Sequence, residues 1–512
     1  MKEGLTAAPE PHEHVAGLQR LYQDGEVTVS EIVAAHLDRI HAIDSYLNAV
    51  VTLNPAAMDD AARLDTASMV RGPLHGVPIL VKDNVETAGI ATAFGSAALS
   101  NHLPSTDAHL VTRLRKAGAV ILGKTTMPDF AMSWHGHSSR SGITRNPYDL
   151  SRDPGGSSSG TAAAVGASLA IAGIGTDTGG SIRIPASFCG LVGIRPTVGL
   201  VSRHGVAALV REQDSPGPLA RSVADAAALL DAMAGWDRRD PFTSLPAMAR
   251  QDGTFCDRLM PGALNGARIG VLRDLCETRS GDDPAIAHIV EDSLAAMREA
   301  GAILIEVHLP GLGDLLRGTF MYLRQSRRDL NRSLTATGAP FVDVADIVAS
   351  GQYCPAIALL RAVSASPADP SDDATHGRAL ELRAQLQHLI AAAFAQHGLR
   401  ALTYPSARIA APSRADIDGG AFEDSAPNVR NPESKAFPAN TLREQFLAPE
   451  PFEWRLDETL ACRGAWLSDQ LDDCCQADGT TSRIGYLPVP GATGGPARRC
   501  SMWRRWPPDT GI

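Results

Sequence analysis

Lysine is scarce in this 512-residue chain: Lys2, Lys82, Lys116, Lys124 and Lys435 are the only lysines among 47 basic side chains, the rest being arginine. A lysine inside an apolar run of an Arg-biased chain asks for a chemical reason. Lys82 is in that position, within Gly76-Val-Pro-Ile-Leu-Val-Lys-Asp-Asn-Val85. Positive charge is also lacking overall. The formal net charge of -10 argues against general binding to nucleic acid or to a membrane surface. Long hydrophobic runs are missing: the longest small-residue apolar stretch, roughly residues 161–174, is too short to span a bilayer. The opening residues MKEGLTAAPEPHEH hold no apolar segment of the secretory kind, so a cytoplasmic location is expected. The eight cysteines form no CxxC pair and no Cys/His metal spacing, and the adjacent Cys474 and Cys475 suit neither a usual disulfide nor zinc. Free thiols in a reducing compartment are the expected state.

What is present supports a large folded enzyme. With 44% apolar and 20% charged residues, the chain can bury a sizeable core. Two helices are expected across 12–42, the second opened by a Thr28-x-x-Glu31 capping box and followed by Ile32, Val33, His36, Leu37 and Ile40 at helical spacing. Residues 79–82 read as a buried strand, 107–117 as a helix and 119–122 as a strand. An Ala-rich helix is expected over 157–169 and another over 222–234. Strand and helix then alternate at 268–272, 284–299, 303–307, 376–396 and 402–404. This alternation predicts α/β architecture around a mostly buried sheet. Residues 405–440 read as loop.

Two Gly/Ser segments follow Lys82: Pro154-Gly-Gly-Ser-Ser-Ser-Gly160 and Gly175-Thr-Asp-Thr-Gly-Gly-Ser-Ile-Arg-Ile-Pro185. Taken alone, each reads first as a turn. Beside a lysine in an apolar run they read differently. Glycines let backbone N–H groups approach a developing oxyanion without a Cβ in the way. A serine nucleophile needs a base within hydrogen-bond reach, and a buried lysine, its pKa lowered by desolvation, can be that base when neutral. The nucleophile elbow Gly-x-Ser-x-Gly does not fit, because Ser181 is flanked at those positions by Gly179 and Arg183.

Other patterns are weaker. Gly118-Ala-Val-Ile-Leu-Gly-Lys-Thr125 satisfies the P-loop expression, but its four variable residues are those of a strand, not of a phosphate-cradling loop, so Lys124 is expected to be structural. His135 and His137 have HxH spacing without a third ligand nearby and read as loop or substrate-mouth histidines. His204 has no assigned role.

From about Gly72 to Pro196 the chain resembles the amidase signature family, through GVPILVKDN, GAVILGKTTMPDF, RNPYDLSRDPGGSSSGTAAAV and GIGTDTGGSIRIPASFCGLVGIRP. A weaker resemblance covers residues 18–51 and runs from ARIGVL to about 405. The segment GTDTGGSIRIPASFCG is also similar to that of indoleacetamide-type hydrolases. The resemblance implies a large mixed, mostly buried β-sheet covered by helices on both faces. It implies Lys82 as base, Ser157 as a bridging serine preceded by a cis peptide, and Ser181 as nucleophile, with intervals of 75 and 24 residues that agree with the family. Neutral Lys82 would take a proton from Ser157, and Ser157 one from Ser181, which attacks the amide carbonyl. Backbone N–H groups of Thr178, Gly179, Gly180 and Ser181 would form the oxyanion hole, with Asp177 and Arg183 positioning the loop. The chain has Ser159 where GGSSGG is the commoner form, a change that leaves the implied triad intact. No cofactor and no metal are implied, and the partner is a small-molecule amide rather than nucleic acid or membrane, with a homodimer as an open alternative.

The expected domain covers residues 1–440, with its catalytic core at about 72–196 and a variable, substrate-side region at about 240–400. Residues 441–512 hold four of the eight cysteines and four of the six tryptophans, no lysine, and almost no apolar periodicity. They read as a frame-shifted or replaced C-terminus, or as a divergent genuine tail. The leading functional expectation is hydrolysis of a small carboxamide through a seryl acyl-enzyme. The alternatives are the amidase subunit of a tRNA-dependent amidotransferase, and an inactive member with a damaged C-terminus.

Overall fold

The computed structural model describes residues 14–66, 72–249, 253–276 and 283–419. The expected anomalous tail, 441–512, lies outside them. Strands β1 (Val50–Leu53), β2 (Pro78–Lys82), β3 (Val120–Thr125), β6 (Ala172–Asp177), β7 (Val192–Gly193) and β8 (Ser215–Ala220) form one sheet in the order β1-β3-β2-β6-β8-β7. Between them, β4 (His137–Ser138) and β5 (Gly142–Ile143) make a small hairpin. The centre of the sheet is parallel, β3 with β2 and β2 with β6, while β1, β7 and β8 join antiparallel. Strands β2, β3, β6 and β8 are buried along their whole length, as strands covered on both faces must be.

Alternation along β2 and β3 assigns the helices to the two faces. Ile79, Val81 and Ile121 pack with Leu18 of α1 (Val15–Asp24), Leu114 of α4 (His109–Lys116) and Leu229 of α7 (Val223–Met233). Leu80, Val120 and Leu122 pack on the opposite side with Val33 of α2 (Val29–Leu47), Leu64 of α3 (Ala57–Asp65) and Ala163 of α5 (Ser159–Gly166). The capping box of α2 forms as expected: Glu31 N–H donates to Thr28 Oγ1, and Thr28 N–H donates to the Glu31 carboxylate at 2.8 Å.

Strand β8 carries Pro216 and Pro218 at alternate positions. In an antiparallel strand, alternate residues present their backbone groups to opposite neighbours. The Ile194 N–H donates to the Pro218 carbonyl, so the proline side faces the short edge strand β7, and Gly217 and Leu219 face β6. The missing proline donors therefore fall where little pairing is lost.

Strands β9 (Arg268–Leu272), β10 (Ile303–Val307) and β11 (Ala401–Thr403) form a separate parallel sheet in the order β10-β9-β11, packed with helices Pro284–Glu299 and His376–His397. Helices Tyr322–Thr337, Val344–Ser350 and Ala358–Ser364 belong to another apolar cluster, with Phe94, Met127, Phe130 and Met132. This cluster joins the variable middle of the chain to the segment that follows β3.

Gly160, in the first turn of α5, fixes the approach of that helix to the sheet. A Cβ there would overlap the Ala49 carbonyl oxygen and the Thr126 N and Oγ1 atoms, and two of these three are rigid backbone. Gly160→Ala should therefore destabilise the fold by about 3 kcal/mol, measured as a fall in the urea midpoint at unchanged m-value.

Candidate active site

The parallel pairing of β2 with β6 brings two strand C-termini together, a common location for sites in α/β folds. Lys82 ends β2 and is fully buried. Its Nζ donates to Ser157 Oγ at 2.7 Å, to Thr176 Oγ1 at 2.9 Å and to the Thr176 carbonyl at 3.3 Å. Thr176 Oγ1 also accepts from Asn84 Nδ2 at 3.0 Å. Burial pulls the Lys82 pKa down to about 7, against the opposing charges of Asp177 and Asp214. A substantial share of Lys82 is then neutral at physiological pH.

Ser157 sits at the mouth of α5, and the Gly156–Ser157 peptide is cis. A Cβ on Gly156 would come within 2.8 Å of the Ser133 carbonyl oxygen, so only glycine lets this loop lie against that segment. Asp153 braces the same loop: its carboxylate accepts from Gly155 N at 2.7 Å, Gly136 N at 3.0 Å and Arg414 Nη1 at 2.7 Å.

The second Gly/Ser segment turns from β6 into α6 (Arg183–Phe188). Asp177 organises it. Its carboxylate accepts from the N–H groups of Gly180 at 2.8 Å and Ile182 at 3.0 Å, and from Arg183 Nε at 3.0 Å and Nη2 at 2.9 Å, with Arg195 Nε at 3.4 Å. Burial alone would raise the Asp177 pKa, but the two guanidiniums and these N–H donors hold it well below the usual carboxylate range. The pair acts on the loop, as expected for Asp177 and Arg183.

Ser181 is buried beside the first segment, to which the Ser158 N–H ties it by donating to the Ser181 carbonyl at 3.1 Å. The Lys82–Ser157 hydrogen bond is formed. Among the described residues the Ser181 hydroxyl makes no hydrogen bond, to Ser157 or to any other group. Of the four N–H groups expected to hold an oxyanion, that of Gly180 (φ 120°) donates to Asp177, while those of Thr178, Gly179 and Ser181 make no hydrogen bond among the described residues.

Of the remaining candidates, His135 adjoins the Ser157 loop, its backbone nitrogen lying against Gly156. Lys124 lies on β3, not in a phosphate loop, and its buried ammonium donates to the Val85 carbonyl and to Thr87 Oγ1. His135 and His137 are buried, with rings 6.2 Å apart; His137 Nε2 lies 3.3 Å from Ser133 Oγ and His135 Nδ1 3.8 Å from Asp153. His204 is exposed. Among the described residues, no group of three or more His, Cys, Asp or Glu could hold a metal ion, and no helix is long and apolar enough to cross a membrane. Sequence reasoning missed Thr176, Asp214 and the Asp153–Arg414 pair. Thr176 lies inside the second segment and could have been flagged; Arg414 lies 261 positions from Asp153 and gave no signal.

A shallow, open recess adjoins the Ser157 loop, lined by Ala131, Met132, Ser133, Trp134, Tyr322 and Leu359. Ser133 and Trp134 are the residues against which Gly156 lies.

A family model described as Amidase matches residues 31–446, and the chain belongs to that family. Among solved structures, the native peptide amidase from Stenotrophomonas maltophilia is 39% identical with a TM-score of 0.70, over 80% of this chain and 89% of that one. A peptide amidase in complex with the competitive inhibitor chymostatin is 38% identical with a TM-score of 0.74, over 85% of this chain and 90% of the other. Among curated proteins, a glutamyl-tRNA(Gln) amidotransferase subunit from Symbiobacterium thermophilum is 44% identical over 303 residues, 58% of this chain. The match spans 60% of the length of that relative.

Proposed function

We propose that this chain is an amidohydrolase that cleaves the C–N bond of a small carboxamide through an acyl-enzyme on Ser181. The observation that carries the proposal is the 2.7 Å hydrogen bond between the fully buried Lys82 and Ser157. Neutral Lys82 accepts the Ser157 proton as Ser157 accepts that of Ser181, and Ser181 Oγ attacks the carbonyl carbon. The oxyanion is received by the backbone N–H groups of the 178–181 loop, chiefly Thr178, Gly179 and Ser181, since that of Gly180 is engaged by Asp177. Ser157 returns a proton to the leaving nitrogen, so ammonia or an amine departs. Water, activated by the same relay, then releases the acid. The recess beside Gly156 is lined mainly by apolar side chains. No cofactor takes part, and the cytoplasm is the proposed compartment. Residues 1–440 are proposed as the amidase domain, which the family match ending at residue 446 supports; residues 441–512 are proposed as a foreign or divergent tail.

A second reading is that of one component of an amidotransferase, favoured by the curated relative at 44% identity that bears that name. A panel of simple carboxamides and peptide amides, offered to the purified chain alone, separates the two. Steady release of ammonia or amine without any partner is the expected result. A chain that turns over no free amide, yet releases ammonia from glutamine once partner proteins are added, would decide for the second reading.

A further inference from the structure

Asp214 immediately precedes β8 and is buried. Its Oδ1 accepts from Thr178 Oγ1 at 2.5 Å and from Val210 N at 3.1 Å, and its Oδ2 accepts from Leu209 N at 2.8 Å. One carboxylate thus ties the first residue of the 178–181 loop to the 208–211 turn. That turn is anchored to helix Tyr322–Thr337: Ala208 N–H donates to Ser333 Oγ at 3.0 Å, and Arg211 N–H to Asp329 Oδ2 at 2.9 Å. Tyr322 of the same helix lines the recess. Hydrogen bonds thus link helix Tyr322–Thr337, through the 208–211 turn and Asp214, to the oxyanion loop.

Asp214 also acts on Lys82 by charge. Of the two carboxylates that favour the protonated lysine, Asp177 is held in ion pairs with Arg183 and Arg195, whereas Asp214 has no ion pair among the described residues. The helix carries Arg324, Arg327, Arg328, Arg332 and Asp329; Arg328 and Asp329 pair with each other at 2.7 Å, Arg324 pairs with Asp373 and Arg327 with Asp343, and Arg211 and the adjacent Glu212 belong to the turn segment. Arg195 Nη2 donates to the neighbouring Gln213 carbonyl.

We propose that Asp214 is a positioning residue of the catalytic centre: it fixes the Thr178 end of the oxyanion loop and adds a second negative charge, after that of Asp177, to the surroundings of Lys82. This rests on the amidohydrolase reading above. Burial pushes the Asp214 pKa up to about 6, with Asp329 adding to the rise and the Thr178 hydroxyl and the two N–H donors opposing it. The carboxylate is therefore charged where Lys82 must lose its proton, and it opposes that loss.

The test is the kcat/KM pH profile of Asp214→Asn and Thr178→Val beside the wild type. Asp214→Asn removes the charge and turns an amide donor toward Leu209 N–H or Thr178. Its acidic limb should move down by about one pH unit, and kcat should fall about tenfold to a hundredfold with a smaller change in KM. Thr178→Val keeps the charge, so it should lower kcat without moving the limb. An Asp214→Asn limb and kcat equal to wild type would overturn the inference. If Asp214→Asn does not fold, an unchanged kcat in Thr178→Val overturns it instead. A wild type that lacks the acidic limb altogether would be a failure of the lysine-base reading, a distinguishable outcome.

Discussion

Ser181→Ala should lower kcat/KM for the best amide of the panel by about 10⁴-fold or more, because a nucleophile and its relay act as one unit. The fold should hardly notice. Ser181 is buried, but its hydroxyl makes no hydrogen bond among the described residues, so the substitution breaks no described bond. Backbone ties of the loop, Ser158 N–H to the Ser181 carbonyl and Asp177 to Gly180 and Ile182, survive in alanine. The unfolding free energy should stay within the range of a neutral substitution, about 0.5 kcal/mol. Circular dichroism melts beside turnover check both parts. A Ser181→Ala chain that retains normal activity would remove Ser181 from the chemistry.

Lys82→Met should abolish activity by a comparable factor, and its stability should reveal why the lysine is there. The folded pKa of Lys82 is about 7, below the ordinary lysine value of 10.5, because burial penalises the ammonium. Between those values the unfolded chain binds the extra proton, so stability rises with pH across the window. Below pH 7 both states are protonated and the full cost of the buried charge is present; by about pH 10 most of it is gone. Wild type should therefore gain stability relative to Lys82→Met as pH rises from 7 to 10. Lys124, also lowered by burial to about 7, is present in both proteins and cancels in the difference. Catalysis should follow the same proton: wild-type kcat/KM should rise through about pH 7 and level off above it. Parallel stability curves for the two proteins, together with a flat profile from pH 6 to 9, would contradict a buried neutral lysine.

The parts of this site with a local physical signature were readable in the sequence. Lys82 stood out because ammonium groups are rarely placed among Ile, Leu and Val. The Thr28 and Glu31 box and the 3.6-residue periodicity gave α2, and the apolar quartet of 119–122 gave β3 and dismissed the phosphate loop. Strand β6 was hidden because its residues Ala172, Gly173 and Gly175 are small and its C-terminal half doubles as the catalytic segment. Strand β8 was hidden by its two prolines, whose tolerance depends on the neighbour each side of the strand faces. Helix Tyr322–Thr337 carries four arginines and two prominent apolar anchors, Leu330 and Leu334, and its identity is set by packing against Phe94 and Met132, far off in sequence. The contacts of Asp153 with Arg414 and of Asp214 with Thr178 are tertiary, with no spacing rule to announce them.

The most direct test of the central claim is to locate the covalent intermediate. A fluorophosphonate, or a slowly deacylating amide quenched in acid, should leave a single adduct, and peptide mass spectrometry should place it on Ser181. Labelling should slow severely in Lys82→Met and vanish in Ser181→Ala. An adduct on another residue, or equal labelling of the Ser181→Ala chain, would contradict the account.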